Sequence, residues 1–512
     1  MAVLSPNYKK SVIDDIIAQI SANSSYYYAF ASNPIPNVSG VPDDDLGDKT
    51  TSAISDWSML FGKKLVNTDF NSVITNITWT TNTIYTQWDD TVDLSNSQFY
   101  AVVTAGGGAD YLVYKCIYNN SNGYSTVTPP TSSPSYSTIT LNDGYMWRYI
   151  MSVPAATFTK FIPSSNGYIP VVPNNAVVAN AGLNSGLDVI NIDAAGNGYL
   201  QYHTGNIASV SNSTYMQIEA GASSSPDYYA NCSIYIYNTA GSPAGQLLTV
   251  ANSVAISSQR WVTLRSAANV ASINVAAAAY IISPPIKIDH DGNTAPQAYC
   301  TINTTFNSVN SIVVVNTGTY VSRAVASIVV ANNFGNGAVL RPICPPPGGH
   351  GSNPASELFV NGLAVQFKFS NSEGSTIATN VKYTKVGIIK NPYALNANNT
   401  KGSAFTANTF SQVLKANVSP STTFSNGAYI SGNTSLANGI VAFSNSSVVY
   451  IVGDKDFSNG EVVTSNGQSA NITITALGDI YAKDIVPLYM QNTDTITRSA
   501  TQNEAFKVVI NI

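Results

Sequence analysis

Short runs of β-branched and aromatic residues, each closed by Gly, Asn or Pro, make up nearly all of this 512-residue chain. Such punctuation specifies strands of a few residues joined by tight turns. The start of the chain departs from it. Ser5-Pro6 precedes a stretch with Val12, Ile13, Ile16, Ile17 and Ile20 on one face and Asp14, Asp15 and Gln19 off it, which is helical spacing. Tyr26 to Ala31 then reads as a buried strand, ended by Asn33-Pro34. A second helix is expected from about Thr51 to Lys63, where Ala53, Ile54, Trp57 and Leu60 make one stripe. A third, short one is expected near Ser352-Asn353-Pro354, a cap residue before Pro. The expected class is mainly β with a minor helical component (α+β), and multidomain.

Charge narrows the partners. Only 10% of residues are charged, against about 25% in an ordinary soluble domain. Ser, Thr and Asn fill the polar positions instead. Hydrophobic content of 44% and a net charge of −5 argue against disorder, because apolar burial can outweigh chain entropy. The same low charge, with a pI near 5.2, gives weak long-range electrostatics, so nucleic acid is not an expected partner. No uninterrupted apolar run is long enough for a membrane span, and no secretory signal opens the sequence. Cys116, Cys232, Cys300 and Cys344 are too sparse for a disulfide scaffold and too dispersed for a zinc site. Buried free thiols in a reducing cytoplasm are expected.

Composition and internal echoes divide the chain. Residues 1–179 are expected to form an N-terminal α+β core. Residues 180–341 have almost no Lys or Glu and read as an inserted β-domain, or two small ones. Two phrases bracket it: Val189 to Tyr199 is echoed by Ile312 to Tyr320, each a β-branched strand closed by a Gly turn and a Tyr. Residues 342–400 return to the core. Residues 401–480 carry a sharper duplication, in which Phe424-Ser-Asn-Gly recurs as Phe457-Ser-Asn-Gly. Asn-Gly tolerates the positive φ of tight turns, and two such units side by side can close a small barrel or sandwich. Residues 481–512 end on an alternating strand with Phe506, Val508 and Ile510 on one face, expected to pair with the core.

No constellation of reactive side chains stands out. The three histidines are His203, His290 and His350. His290 lies in Asp289-His-Asp-Gly-Asn293, whose oxygens suit calcium, but the spacing of a calcium-binding loop is missing and a plain turn is the simpler reading. His350 lies in Gly348-Gly-His-Gly351 before the short helix. No Walker-type Lys follows, so a tight structural loop is expected. Asp43, Asp44, Asp45 and Asp48, and likewise Asp89, Asp90 and Asp93, read as solvated loops. Gly106 to Gly108 reads as a hairpin turn. A carboxylate pair for glycoside cleavage is three-dimensional and invisible in sequence. Most of the aromatics, among them Trp57, Trp79, Trp88 and Trp147 and the 30 Tyr, are expected to be core, with those left on the surface serving as interface anchors. No catalytic, cofactor-binding or metal site is assigned.

Three stretches resemble the dimeric baseplate wedge subunit of contractile-tailed bacteriophages. The first, about 8 to 175, holds YYYAFASNPIP (Tyr26–Pro36), WTTNTIYTQWDD (Trp79–Asp90), YLVYKCIYNNSNGYSTVTPP (Tyr111–Pro130) and DGYMWRYIMSV (Asp143–Val153). The second, Pro345 to Pro392, holds GGHGSNPASEL and TKVGIIKNP; the third is the tail TRSATQNEAFKVVINI. The middle region and the Phe424/Phe457 duplication lie outside it. The resemblance implies a non-enzymatic homodimer in the virion tail baseplate, assembled in the bacterial cytoplasm. Its implied partners are other baseplate wedge subunits, with no cofactor, nucleic acid, membrane or small-molecule substrate. The rival expectations are a receptor- or glycan-binding tail-spike or adhesin, and a polysaccharide-degrading enzyme.

Overall fold

The computed structural model describes residues 5–33, 58–132, 135–163, 167–174, 181–182, 185–239, 245–329, 334–370, 373, 377–397, 399–481, 485, 487–499 and 501–512. The chain is mainly β, with three α-helices among the described residues. It divides into two compact units: 1–73 with 159–166 and 361–512, and 74–158 with 167–360. These bounds interleave along the chain, whereas the composition shifts at 179/180 and 341/342 run in linear order.

The first unit opens with the helix Pro6–Ser21. Ser5 caps it by accepting from the Tyr8 N–H at 3.3 Å, Pro6 occupies the first turn, and Ile13 and Ile20 are buried. A five-stranded antiparallel sheet follows, in the order Thr409–Ser411, Met59–Lys64, Tyr27–Ser32, Lys382–Lys390, Pro487–Thr497. The helix expected over Thr51–Lys63 is corrected in its described part, where Met59–Lys64 is a strand; Ala53, Ile54 and Trp57 lie outside the described residues. Met59, Leu60 and Phe61 are consecutive and all buried. A strand covered on both faces carries no alternation, and a short apolar run of that kind cannot be told from a helix by period.

One row across this sheet explains two glycines. Phe410, Gly62, Phe30, Gly387 and Met490 are successive register partners on five strands. A Cβ on Gly62 would sit 2.3 Å from the Phe410 ring and 2.7 Å from the Ala29 carbonyl oxygen; on Gly387 it would sit 2.5 Å from the Phe30 ring. The rings thus fill the space that the glycines leave. A second sheet pairs Glu504–Asn511 with Gly362–Phe369, which in turn pairs with Phe70–Thr75.

Leu414–Ala476 forms a closed six-stranded barrel, and the duplication is structural. Phe424 and Phe457 both enter its core. Gly427 and Gly460 follow their asparagines at φ +81° and +87°. The Gly427 N–H donates to the Val441 carbonyl at 2.7 Å and the Gly460 N–H to Ile472 at 2.8 Å. The Asn426 side chain accepts from the Ser444 N–H at 3.1 Å, and Asn459 from Ile474 at 2.8 Å.

The second unit contains the sheet Tyr100–Thr104, Tyr111–Asn119, Tyr145–Val153, Ile139–Thr140. Gly106, Gly107 and Gly108, all at positive φ, turn its first hairpin. A second closed six-stranded barrel spans His203–Ser283. Beside it in sequence, Val189–Asn197, Asn336–Ile343, Ala324–Ile328 and Ile286–His290 form one sheet, and Gln297–Asn303 with Ser308–Asn316 another. These two sheets share the core of Leu187, Ile190, Cys300 and Leu340. The middle region thus holds a barrel and a two-sheet module. Its echoed phrases both supply strands, but the echo stops at the tyrosine: Tyr199 is buried and Tyr320 exposed.

Gly62→Ala is expected to lower stability by about 1–3 kcal/mol, the usual effect of overpacking, read as a lower midpoint in chemical denaturation. An unchanged midpoint would show that Phe410 and the Ala29 backbone give way without strain.

Candidate functional site

Lys115 lies in the strand Tyr111–Asn119 and Arg148 directly opposite it in Tyr145–Val153. Both are buried, so two like charges meet inside a sheet. Compensation arrives from far away in sequence. Glu357, 242 residues on, forms an ion pair with Lys115. Its other oxygen accepts the Gly351 N–H at 2.6 Å, and His350 Nδ1 lies 3.0 Å from Oε1. The Lys115 ammonium also sits 3.7 Å from the Trp88 ring centroid. Arg148 donates to Ser185 Oγ at 3.2 Å and to the Ala181 carbonyl at 3.5 Å.

Local sequence builds this arrangement. Gly348, Gly349 and Gly351 all take positive φ, which turns the loop tightly enough to carry His350 inward. Asn353 caps the helix Pro354–Glu357 by accepting from the Ser356 N–H, which orients Glu357 toward the loop. The glycine-rich loop therefore positions a buried histidine.

Burial lowers the Lys115 pKa to about 8, against the pull of Glu357. Burial, reinforced by the Lys115 charge, lowers His350 to about 4. Burial alone would raise Glu357, but Lys115 and His350 outweigh it and hold the carboxyl at about 2. His350 is therefore neutral near neutral pH. Its Nδ1–H donates a hydrogen bond to the Glu357 carboxylate, which leaves Nε2 as an acceptor. That nitrogen lies 3.9 Å from Oδ2 of Asp188, itself an acceptor. The Asp188 side chain is only 9% exposed, and Oδ2 has no hydrogen-bond partner.

Asp188 also lines a cleft of 880 Å³. Asp89, Asp193 and Arg341 lie in the same cleft, and Arg341 is ion-paired to both. Burial would raise Asp89, but hydrogen bonds from Thr91 and Arg341 outweigh it and hold its pKa low. One rim is the turn Asn120-Ser121-Asn122, three consecutive non-glycine residues at positive φ. Its shape is fixed by Asn119, which donates to the Asn122 side chain and accepts from the Asn122 N–H.

The other sequence candidates lie apart from this cluster. The Asp289–Asn293 segment is a turn: Asp291 accepts from Ser322 N, Ser322 Oγ and Arg323 N, hydrogen bonds that hold its carboxyl well below the usual range. His203 stacks on Tyr280 and shares a 2.8 Å hydrogen bond with its hydroxyl. Asp90 accepts from the Cys344 N–H, and Asp93 from the Ser95 N–H. The reading of Asp89, Asp90 and Asp93 as one solvated loop is thus corrected: Asp89 and Asp90 are tied to the strand end Arg341–Cys344. Asp43, Asp44, Asp45 and Asp48 lie outside the described residues. Trp88 and Trp147 are buried, and Trp79 is half-buried. All four cysteines are free and buried, and burial pushes their thiols up, away from nucleophilic chemistry. Among the described residues no group of three or more His, Cys, Asp or Glu is placed to hold a metal ion, and no helix is long and apolar enough to cross a membrane. A scan against protein-family models finds no match to this chain, and a search of curated proteins finds no significant similarity.

Two measurements test the cluster. Removing one partner of a buried pair leaves the other uncompensated, so Glu357→Gln is expected to cost about 3–5 kcal/mol. Lys115→Met/Glu357→Leu should recover part of that loss in a double-mutant cycle; strict additivity would mean that the pair is not coupled. The second is pH. His350 and Glu357 have folded pKa values below their ordinary 6.5 and 4.5. The unfolded state therefore binds more protons, and stability falls as pH drops. The His350 contribution is lost between 6.5 and about 4. The thermal midpoint should decline across that window and decline less in His350→Gln. Equal slopes in both proteins would remove His350 from the account.

Proposed function

We propose that this chain is a structural, non-enzymatic subunit of a contractile phage tail baseplate wedge, acting as a homodimeric connector between neighbouring wedge proteins. One observation carries the proposal. Stretches that resemble the wedge subunit, far apart in sequence, pair with one another. In the first unit Tyr27–Ser32 pairs with Lys382–Lys390, and Glu504–Asn511 with Gly362–Phe369 beside Phe70–Thr75. In the second, Lys115 of the first stretch is ion-paired to Glu357 of the second stretch. The duplication outside the resemblance closes into a barrel of its own, and so does His203–Ser283 within the middle region.

The chemistry supports the same reading. The buried charged groups are largely spent on one another, which suits a rigid part better than a proton-transfer site. Exposed Tyr124 and Tyr429 offer contact area at low entropy cost. In this role the protein would hold neighbouring subunits in the pre-contraction geometry and then permit their rearrangement. Obligate interfaces of such assemblies bury more than ~2,000 Å².

Size-exclusion chromatography with light scattering should return about twice the 54.1 kDa chain mass. A strict monomer at micromolar concentration would remove the dimeric connector, and a trimer would favour a spike.

A further inference from the structure

The tripeptide Ser-Asn-Gly occurs three times in the Leu414–Ala476 barrel, at 425–427, 458–460 and 465–467. Asparagine followed by glycine is open to attack on its side-chain amide by the next backbone nitrogen, because glycine puts no Cβ in the way. The residues on either side of the asparagine are the same in all three. A Cβ at any of the three glycines would also meet nothing within 4 Å, so crowding does not separate them. Hydrogen bonding does.

Two of the three are locked. The Gly427 N–H donates to the Val441 carbonyl, and the Asn426 side chain accepts from the Ser444 N–H. Gly460 and Asn459 are held in the same way by Ile472 and Ile474. The nitrogen that would attack and the amide that it would attack are both engaged elsewhere. The third copy is a two-residue turn between Val462–Ser465 and Gln468–Ala476, with Ser465 and Gln468 as register partners. Asn466 and Gly467 are exposed at φ +48° and +78°, the left-handed pair of a tight hairpin. Neither the Gly467 N–H nor the Asn466 side chain is hydrogen-bonded to a described residue. In the other unit Asn119 holds both Asn122 and Gly123. Asn336, Asn361 and Asn438 precede a glycine inside a paired strand. Asn197 precedes Gly198, but its backbone is paired with Asn336.

We infer that Asn466 is a site of spontaneous covalent modification, at which the side-chain amide is lost through cyclisation with Gly467. The Gly467 nitrogen gives its proton to solvent and bonds to Asn466 Cγ; the amide C–N bond breaks and ammonia leaves. Water then opens the cyclic imide at either carbonyl, which leaves aspartate or isoaspartate at this position. Water is the only co-reactant, and nothing is oxidised or reduced. Isoaspartate carries the main chain through the side-chain carbon, so the turn is lengthened by a backbone atom. The strand that follows pairs with Leu414–Ser419 and closes the barrel, so closure is where the change is felt. The inference stands independently of the connector role.

The test incubates the full chain at neutral and at mildly alkaline pH, with samples digested at acidic pH and each Ser-Asn-Gly peptide followed by mass spectrometry. Labelling by an isoaspartate methyltransferase separates the two products. Asn466 should convert about tenfold or more faster than Asn426 and Asn459, which must first break their hydrogen bonds. Its rate should rise with pH, because the attacking nitrogen is the deprotonated one. In denaturant the three sites should convert alike, since their local sequence is shared. The inference is overturned if Asn426 or Asn459 converts as fast as Asn466 in the folded chain, or if the preference for Asn466 persists in denaturant. Asn466→Gln, on an exposed turn, should abolish the fast conversion; a fast phase that survives in this variant places the reaction elsewhere and overturns the assignment.

Discussion

Unpaired strand edges are the constraint to which this architecture answers. Natural sheets commonly protect their edges with charged side chains, Lys above all. With one residue in ten charged, this chain has few to place there. Closure is the alternative, and it is used twice, in His203–Ser283 and Leu414–Ala476. In the second barrel closure comes from duplication: two Phe-Ser-Asn-Gly units each bring one core ring and one turn, and strand Gln468–Ala476 returns to Leu414–Ser419. The open sheets rely on partners distant in sequence. The C-terminal strand lies against Gly362–Phe369 along its whole length.

The scarce charges are used inside. Lys115, Arg148 and Glu357 are buried. Buried ions seldom add net stability over well-packed apolar residues, but they penalise wrong pairings severely. Here a single carboxylate has to reach a sheet that already holds two cations. Only a loop shaped by Gly348, Gly349 and Gly351, followed at once by a capped helix, delivers it. The cluster therefore fixes where the chain segment around residue 350 must lie, a constraint that apolar contacts of similar area would leave looser.

The local signals in the sequence were the reliable ones. Ser5-Pro6 and Asn353-Pro354 each mark a helix start, and the Asn-Gly pairs mark turns at positive φ. Those features depend on a few adjacent residues. Met59–Lys64 departs from the helix expected there because a doubly covered strand loses its period. The buried cluster stayed hidden because its members converge from the segments around residues 115, 148, 188 and 350. A signal was present, however: Lys115 and Arg148 each interrupt an apolar strand with a charge, in a chain that has few to spare. A charge flanked on both sides by buried positions needs a partner from elsewhere. The charged residue nearest the Gly348–Gly351 loop in sequence is Glu357, four residues beyond the Asn353 cap.

The cleft is assembled from segments far apart in the chain. Gln87, Asp89 and Asn122 come from the N-terminal third. Asp188, Asn191 and Arg341 come from the middle region or its border. The Arg341–Asp89 ion pair and the Gln87–Asn191 hydrogen bond join the two sets. Neither set encloses the cleft alone. The cleft therefore depends on the middle region meeting the segments around Gln87 and Asn122.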